Sequence, residues 1–104
     1  MLRSVELVEF SDWLEQLRDT KAAARIVTRI FRLKRGNIGD CKSVGGGVSE
    51  LRFSFGPGYR VYFANHEGLL IVLLAGGDKS SQPRDIIRAK NLLLQWKDQI
   101  NVST

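Results

Sequence analysis

The sequence predicts an α+β domain in which helices pack against a mainly antiparallel sheet, in the order strand, helix, helix, three strands, helix. Three observations lead there. Residues 48–63, VSELRFSFGPGYRVYF, alternate apolar and polar side chains on either side of Gly56-Pro57-Gly58, the pattern of a β-hairpin. Residues 21–35 carry Ala22, Ala23, Ile26, Ile30 and Leu33 at helical spacings; residues 83–97 carry Ile86, Ala89, Leu93 and Trp96 likewise, widened by Ile87 and Leu94. Between hairpin and last helix, Leu69 to Ala75 is a nearly continuous apolar run, as expected of a central strand covered on both sides.

The first element, residues 4–9, alternates with period two and reads as a strand. Ser11 or Asp12 then caps a helix carrying Trp13, Leu14 and Leu17, and Thr20 caps the next. That second helix is cationic on its outer side. Arg25, Arg29 and Arg32 follow at helical spacing, with Lys21 before them, Lys34 and Arg35 after, and no acid from 21 to 35. Charged helix faces are commonly only solvated, but this many uncompensated cations suit a polyanion or an acidic partner chain. Residues 36–47, GNIGDCKSVGGG, read as a loop. The three glycines do not make a phosphate loop, because the run lacks the Gly-Lys-Ser/Thr ending and leads into a strand. Lys42 in this loop is positioned to bring its ammonium to the hairpin's exposed face.

Within the hairpin, a three-residue loop pairs Phe55 with Tyr59, Phe53 with Val61 and Leu51 with Phe63, all six on the core face. The other face then sets Arg52 opposite Tyr62 and Ser54 opposite Arg60. Two guanidinium groups, a phenol and a hydroxyl on rigid backbone form an exposed patch suited to a phosphodiester. Beyond the hairpin, Asn65 to Gly68 is a turn, and its His66, the chain's one histidine, has no neighbours that would make a triad or a metal set. Gly76 and Gly77 let the backbone turn sharply, Ser80 or Ser81 caps the last helix, and Lys79 is held at a strand end. Residues 98–104 are polar and expected to fray.

The 104 residues read as one domain, 1–104, large enough to need no disulfide, and Cys41 is the one cysteine. Sixteen Lys and Arg against eleven Asp and Glu give a net charge of +5, which steers toward polyanions without identifying one. Neither a membrane span nor a signal-peptide pattern is present, and a cytoplasmic location is expected.

Three stretches carry a resemblance: FSDWLEQLRD, AAARIVTRIFRLKRGNIGDCKSVGGGVSELRFSFGPGYRVYF and LLAGGDKSSQPRDIIRAKNLLLQW. With Gly58-Tyr59-Arg60-Val61-Tyr62 after a basic strand, and Gly-Gly-Asp-Lys-Ser-Ser-Gln before a final helix, they resemble the RelE/ParE superfamily of type II toxins, in particular the HigB-like addiction module killer proteins. The resemblance spans roughly residues 4–97. It implies a RelE-like fold and a metal-independent, cofactor-free endoribonuclease that cleaves mRNA, commonly on the ribosome. It also implies a cognate antitoxin, often with a helix-turn-helix domain. Arg60 matches the arginine of the Tyr-Arg motif, Lys79 the basic residue ending the last strand, and Arg52 lies on the family's basic strand. The family's C-terminal catalytic Tyr or His has no counterpart; Gln82 and Trp96 stand in that region.

RNA cleavage without metal needs a base for the 2'-hydroxyl, neutralisation of a phosphorane-like transition state, and a proton for the leaving oxygen. Arg60 and Arg52 suit the second task, helped by a hydrogen bond from Ser54. Lys79 is the better proton-transfer candidate, since an ammonium yields a proton that a guanidinium keeps, and Glu50 is the alternative base. Tyr62 would stack on a base or orient the hydroxyl, and Lys42 would contact substrate. Arg25, Arg29 and Arg32 are the candidate contact with antitoxin or ribosomal RNA. Two other functions compete: a ParE-like gyrase poison in which the hairpin arginines are incidental, and a non-catalytic RNA-binding module. A double-stranded-RNA-binding domain is disfavoured, because Gln82-Pro83-Arg84-Asp85 lacks the required basic run.

Overall fold

The computed structural model describes residues 1–102. A short strand β1 (Arg3–Glu6) is followed by helices α1 (Val8–Glu15) and α2 (Thr20–Lys34). Four strands come next: β2 (Cys41–Gly45), β3 (Val48–Arg52), β4 (Arg60–His66) and β5 (Leu70–Gly77). A 3-10 turn (Lys79–Ser81) leads into α3 (Gln82–Val102). The strands form one sheet in the order β1-β5-β4-β3-β2, with β1 parallel to β5 and the other three pairings antiparallel. The chain is therefore α+β, with a mixed five-stranded sheet and three helices.

Each face of the sheet buries its own apolar set. On one, Phe10 from α1 and Ile26, Ile30 and Leu33 from α2 meet Leu51, Phe53, Val61, Phe63, Ile71 and Leu73. On the other, Ala89, Leu92 and Leu93 of α3 cover Val48, Tyr62, Ala64, Val72, Leu74 and Ala75. The apolar run of β5 is explained: its residues serve both cores in turn. A bulge in the β4–β5 ladder, opposite Tyr62 and Phe63, puts Leu74 and Ala75 on the same face.

Several expectations are corrected. The stretch 36–47 is not all loop, because Cys41–Gly45 pairs with β3. Gly45, Gly46 and Gly47 have φ of +90°, +63° and +81°, so the glycine run is the hairpin turn that makes a fourth strand after the helices possible. The β3–β4 register is displaced by two residues. Leu51 faces Val61 and Arg52 faces Arg60, and Phe53 N–H reaches the Tyr59 carbonyl at 3.1 Å across a longer loop. A two-residue displacement keeps every side chain on its expected face, so Leu51, Phe53, Val61 and Phe63 remain in the core.

Helix boundaries also differ. Asp19, not Thr20, caps α2, accepting from Ala22 N–H at 3.0 Å. α1 begins at Val8, before Ser11 and Asp12, without a side-chain cap. Asp78 caps an intervening 3-10 turn, whose last residue, Ser81, directly precedes α3. α3 continues through 98–102 where fraying was expected, while the 103–104 part of that expectation lies outside the described residues. Its expected stripe of Ile86, Ala89, Leu93 and Trp96 packs on the core, but Leu92 widens it, whereas Ile87 and Leu94 are exposed.

Gly76 and Gly77 do not turn the chain. Both sit in the extended end of β5 and serve close approach: a Cβ at Gly76 would fall inside the Trp13 indole, and one at Gly77 would collide with the Asp85 carboxylate.

Candidate functional site

Alternation along β3 and β4 directs Glu50, Arg52, Arg60 and Tyr62 to the α3 side of the sheet. The ladders set Lys42, Glu50, Tyr62 and Ala75 in one row across the strands, and Arg52, Arg60 and Gly77 in the next. This face is not open. The first turn of α3 lies over it, leaving Glu50 1%, Arg60 7% and Tyr62 0% exposed.

Glu50 is the hub. Its Oε2 accepts a hydrogen bond from Gln82 Nε2 at 2.6 Å, and its Oε1 lies 3.7 Å from Arg60 Nε and 3.8 Å from Arg52 Nε. Burying a carboxylate is costly unless paired, and the Arg60 guanidinium and Gln82 amide supply the compensation. Arg60 is itself heavily engaged: Nη1 donates to the carbonyls of Gly58 at 2.9 Å, Tyr59 at 3.0 Å and Phe53 at 3.4 Å. It thereby ties both ends of the β3–β4 loop to the sheet. Two polar atoms in this cluster are buried without a hydrogen-bond partner, Arg60 Nε and the Tyr62 hydroxyl. Burial first, then the nearby Glu50 and Asp85 carboxylates, push the Tyr62 phenol well above its usual value.

The rim is cationic. Arg52 keeps 41% of its side chain exposed, and Lys42 and Lys79 are exposed. The Lys79 N–H reaches the Pro57 carbonyl at 3.4 Å. A Cβ on Gly58 would meet both Lys79 Cβ at 3.3 Å and Arg60 Nη1 at 3.5 Å, so strand end and hairpin loop are packed closely there. The Asp78 carboxylate accepts from Ser80 N–H at 2.8 Å and from its hydroxyl at 2.5 Å, bonds that hold Asp78 below the usual carboxylate range and fix the turn carrying Lys79.

The structure thus gathers Lys42, Glu50, Arg52, Arg60, Tyr62 and Lys79 at one end of the sheet. The expected exposed patch is corrected: Arg60 and Tyr62 are covered by α3, and Tyr62 has no open ring face for stacking. Glu50, inside the fold, is placed to orient Arg52 and Arg60. Ser54 lies beyond the end of β3 and faces α2 instead, lining a groove with Arg25, Arg29 and Arg32. There Arg29 is structural: Nη1 donates to the Arg52 carbonyl at 3.0 Å, Nη2 to the Asp40 carbonyl at 3.3 Å, and the guanidinium stacks 4.7 Å from the Phe53 ring centre.

Sequence reasoning gave no role to Asp85 and only a positional one to Gln82. Gln82 contacts a residue 32 positions away, which no local pattern reveals. Asp85 accepts from the Ser81 hydroxyl at 2.5 Å, one helical turn back, and packs on Gly77. Its sequence signal is the bare glycine pair at a strand end followed by a capped helix. Among the described residues no three His, Cys, Asp or Glu side chains gather as a metal site requires. Among the described residues no helix is long and apolar enough to cross a membrane.

No family model matches the sequence. A protein of Haemophilus influenzae, described as an uncharacterized protein, is 53% identical over 83 residues that cover 80% of this chain and 84% of that protein.

Proposed function

The chain belongs to one family with the Haemophilus influenzae protein, and we propose that it acts as a RelE/ParE-like toxin of a type II toxin–antitoxin module, an endoribonuclease that cuts mRNA and stops translation. The β-α-α-β-β-β-β-α order is taken as a variant of the RelE-like fold, the compartment as the cytoplasm, and the partners as mRNA, the ribosome and a cognate antitoxin. What carries the reading is the convergence of Arg52 and Arg60 on the buried Glu50 at one end of the sheet, with Lys79 packed against the Gly58 loop that Arg60 holds. In the proposed reaction Arg52 and Lys79, at the surface, neutralise the nonbridging oxygens as charge develops on the phosphorus. Arg60 holds the hairpin loop that frames the phosphate, and Glu50 keeps Arg52 oriented. The 2'-hydroxyl attacks phosphorus and the bond to the 5'-oxygen breaks, leaving a 2',3'-cyclic phosphate; the hydroxyl's proton passes to solvent water at the exposed rim, and Lys79 donates a proton to the leaving 5'-oxygen.

A second reading is favoured by the three carbonyl bonds of Arg60 Nη1. They give that arginine a purely structural use, as in a gyrase poison that hydrolyses nothing.

Primer extension on a defined mRNA after brief induction separates the two. Discrete new ends with the wild type, lost in Arg52→Ala and in Lys79→Ala while both variants stay folded, are expected. Intact mRNA in growth-arrested cells with a DNA-damage response would overturn cleavage in favour of the gyrase reading.

A further inference from the structure

α3 buries Ala89, Leu92 and Leu93 against the sheet, with Ile86 and Trp96 packed beside them. At about 100° per residue, Arg84, Ile87, Asn91, Leu94 and Asp98 fall within an arc of about 80° on the opposite side of the helix. All five are exposed. We propose that this face pairs two copies of the chain, α3 against α3, antiparallel about a two-fold axis at Asn91. The proposal does not rest on the ribonuclease reading, since none of the five belongs to the Glu50 cluster.

Apolar surface is the first argument. Ile87 and Leu94 are 63% and 62% exposed. One exposed apolar side chain needs no partner, but these two sit two turns apart in a stripe whose intervals alternate three and four, the spacing along which helices seam together. The proposed axis brings Ile87 of each chain beside Leu94 of the partner subunit, to within one residue's rise of about 1.5 Å. Asn91 meets its own copy, and an amide can both donate to and accept from an identical group.

Charge is the second. Arg84 and Asp98 stand equally far from Asn91 on either side, so the same axis sets Arg84 against Asp98 of the partner subunit at both ends of the contact. Among the described residues neither enters an ion pair within its own chain. A parallel pairing would oppose like charges instead. The other cations of this stretch turn to their own domain: Lys90 lies along the Gly45–Gly46 turn, Arg88 lines a cleft with Glu9, Asp12 and Asp85, and Lys97 lines one with His66 and Glu67. A net charge of +5 opposes self-association, and this face keeps that cost low, because the arginines of α2 lie on the far side of the sheet.

A foreign helix fits less well. A uniformly acidic one would meet Asp98, and a uniformly basic one would meet Arg84. Both ends are satisfied by a segment carrying the opposite charges in reverse order, which an antiparallel second copy supplies from the same sequence.

The test is sedimentation equilibrium of the full chain at about 5–500 µM and physiological ionic strength, since one helix pair falls short of the roughly 800 Å² per partner of a standard interface. The apparent mass should rise with concentration from 11.7 kDa toward twice that value. Leu94→Lys should weaken the dimer at least about tenfold, and Arg84→Asp or Asp98→Arg alone at least about fivefold. The double variant Arg84→Asp/Asp98→Arg should return to within about twofold of the wild type, because the pairs are restored with their signs exchanged. All these positions are exposed, and an acid near the start and a base near the end of α3 suit the helix dipole, so circular dichroism should show the fold retained. A mass that stays monomeric throughout would overturn the proposal, as would a dimer indifferent to Leu94→Lys. Single charge variants that dimerise like the wild type, or a double variant no better than either single, would overturn the antiparallel pairing.

Discussion

Gln82, the first residue of α3, donates a 2.6 Å hydrogen bond to Glu50, a carboxylate on β3 that is 1% exposed. This one bond joins the helix that covers the site to the residue around which the site's arginines are arranged.

Removing either partner is expected to destabilise the fold, and unequally. Glu50→Ala leaves the Arg60 guanidinium buried without a counter-charge, which costs about 3–5 kcal/mol when a buried pair is broken from one side. Gln82→Ala leaves Glu50 with Arg60 and Arg52 but without its short amide bond, a loss of about 1–3 kcal/mol. Urea denaturation measures both. A Glu50→Ala variant as stable as Gln82→Ala would mean that the ion pair with Arg60 contributes little.

Tyr62 is expected to behave in the opposite sense. Its hydroxyl is buried and has no hydrogen-bond partner, so Tyr62→Phe at pH 7 should be neutral or stabilising, by up to about 1 kcal/mol. The difference should widen in base. The folded state raises the phenol above its ordinary value of 10, so the native protein keeps a proton that the unfolded chain releases. Stability from this group is therefore complete below pH 10 and falls as pH rises above it, by about 1.4 kcal/mol per unit once the unfolded phenol is ionised. Urea midpoints of the wild type and of Tyr62→Phe at pH 9 and pH 11, read as a difference, cancel the other titrating groups. A constant difference would contradict the buried, carboxylate-flanked setting.

How much of this was legible in the sequence depends on the range of the forces involved. The helical stripes of α2, the alternation of the hairpin and the two-sided burial of β5 were legible, because periodicity records which side of an element faces apolar neighbours. The hairpin register was legible only modulo two, since a two-residue slip preserves the faces and the choice is made by the loop, here by Arg60 bonding the carbonyls of Phe53, Gly58 and Tyr59. The covering of Arg60 and Tyr62 was not legible. Polar residues on a strand suggest water, and nothing local announces that Gln82, 32 residues beyond Glu50, will lie against them. β2 was hidden by its own turn, because the glycines that suggested a loop are those that allow the chain to reverse.

Gly76 and Gly77 give a steric prediction. Neither has a positive φ, so alanine there is penalised by contact and not by backbone conformation. Gly76→Ala must displace Trp13 and Gly77→Ala must displace Asp85, each at about 1–3 kcal/mol or more. The two are separable by readout. Gly76→Ala should shift the Trp13 emission, while Gly77→Ala should lower stability with the emission unchanged. Gly68→Ala is the contrasting control, with nothing within 4 Å and a φ of +72°, where the cost is the left-handed backbone alone, about 1–2 kcal/mol. Equal emission from all three variants would overturn the reading of Gly76, and a Gly77→Ala variant as stable as the wild type would overturn that of Gly77.

Arg29 and Arg32 are three residues apart on α2 and are expected to differ sharply. Arg29→Ala removes two bonds, to the Arg52 and Asp40 carbonyls, and the contact with Phe53, so the end of β3 loses its tie to the helix. The expected loss is about 2 kcal/mol, built from hydrogen bonds to a charged group and a partly desolvated cation–π contact. Arg32 is exposed and enters no ion pair among the described residues, so Arg32→Ala should stay within about 0.5 kcal/mol of the wild type. Guanidinium denaturation would blur the charge difference through its own ionic strength, so urea at low salt is the appropriate measurement. Equal destabilisation by the two substitutions would mean that the cations of this helix act through their summed charge. A large loss confined to Arg29 would establish that one member of the row holds the fold while its neighbour remains free to meet a partner.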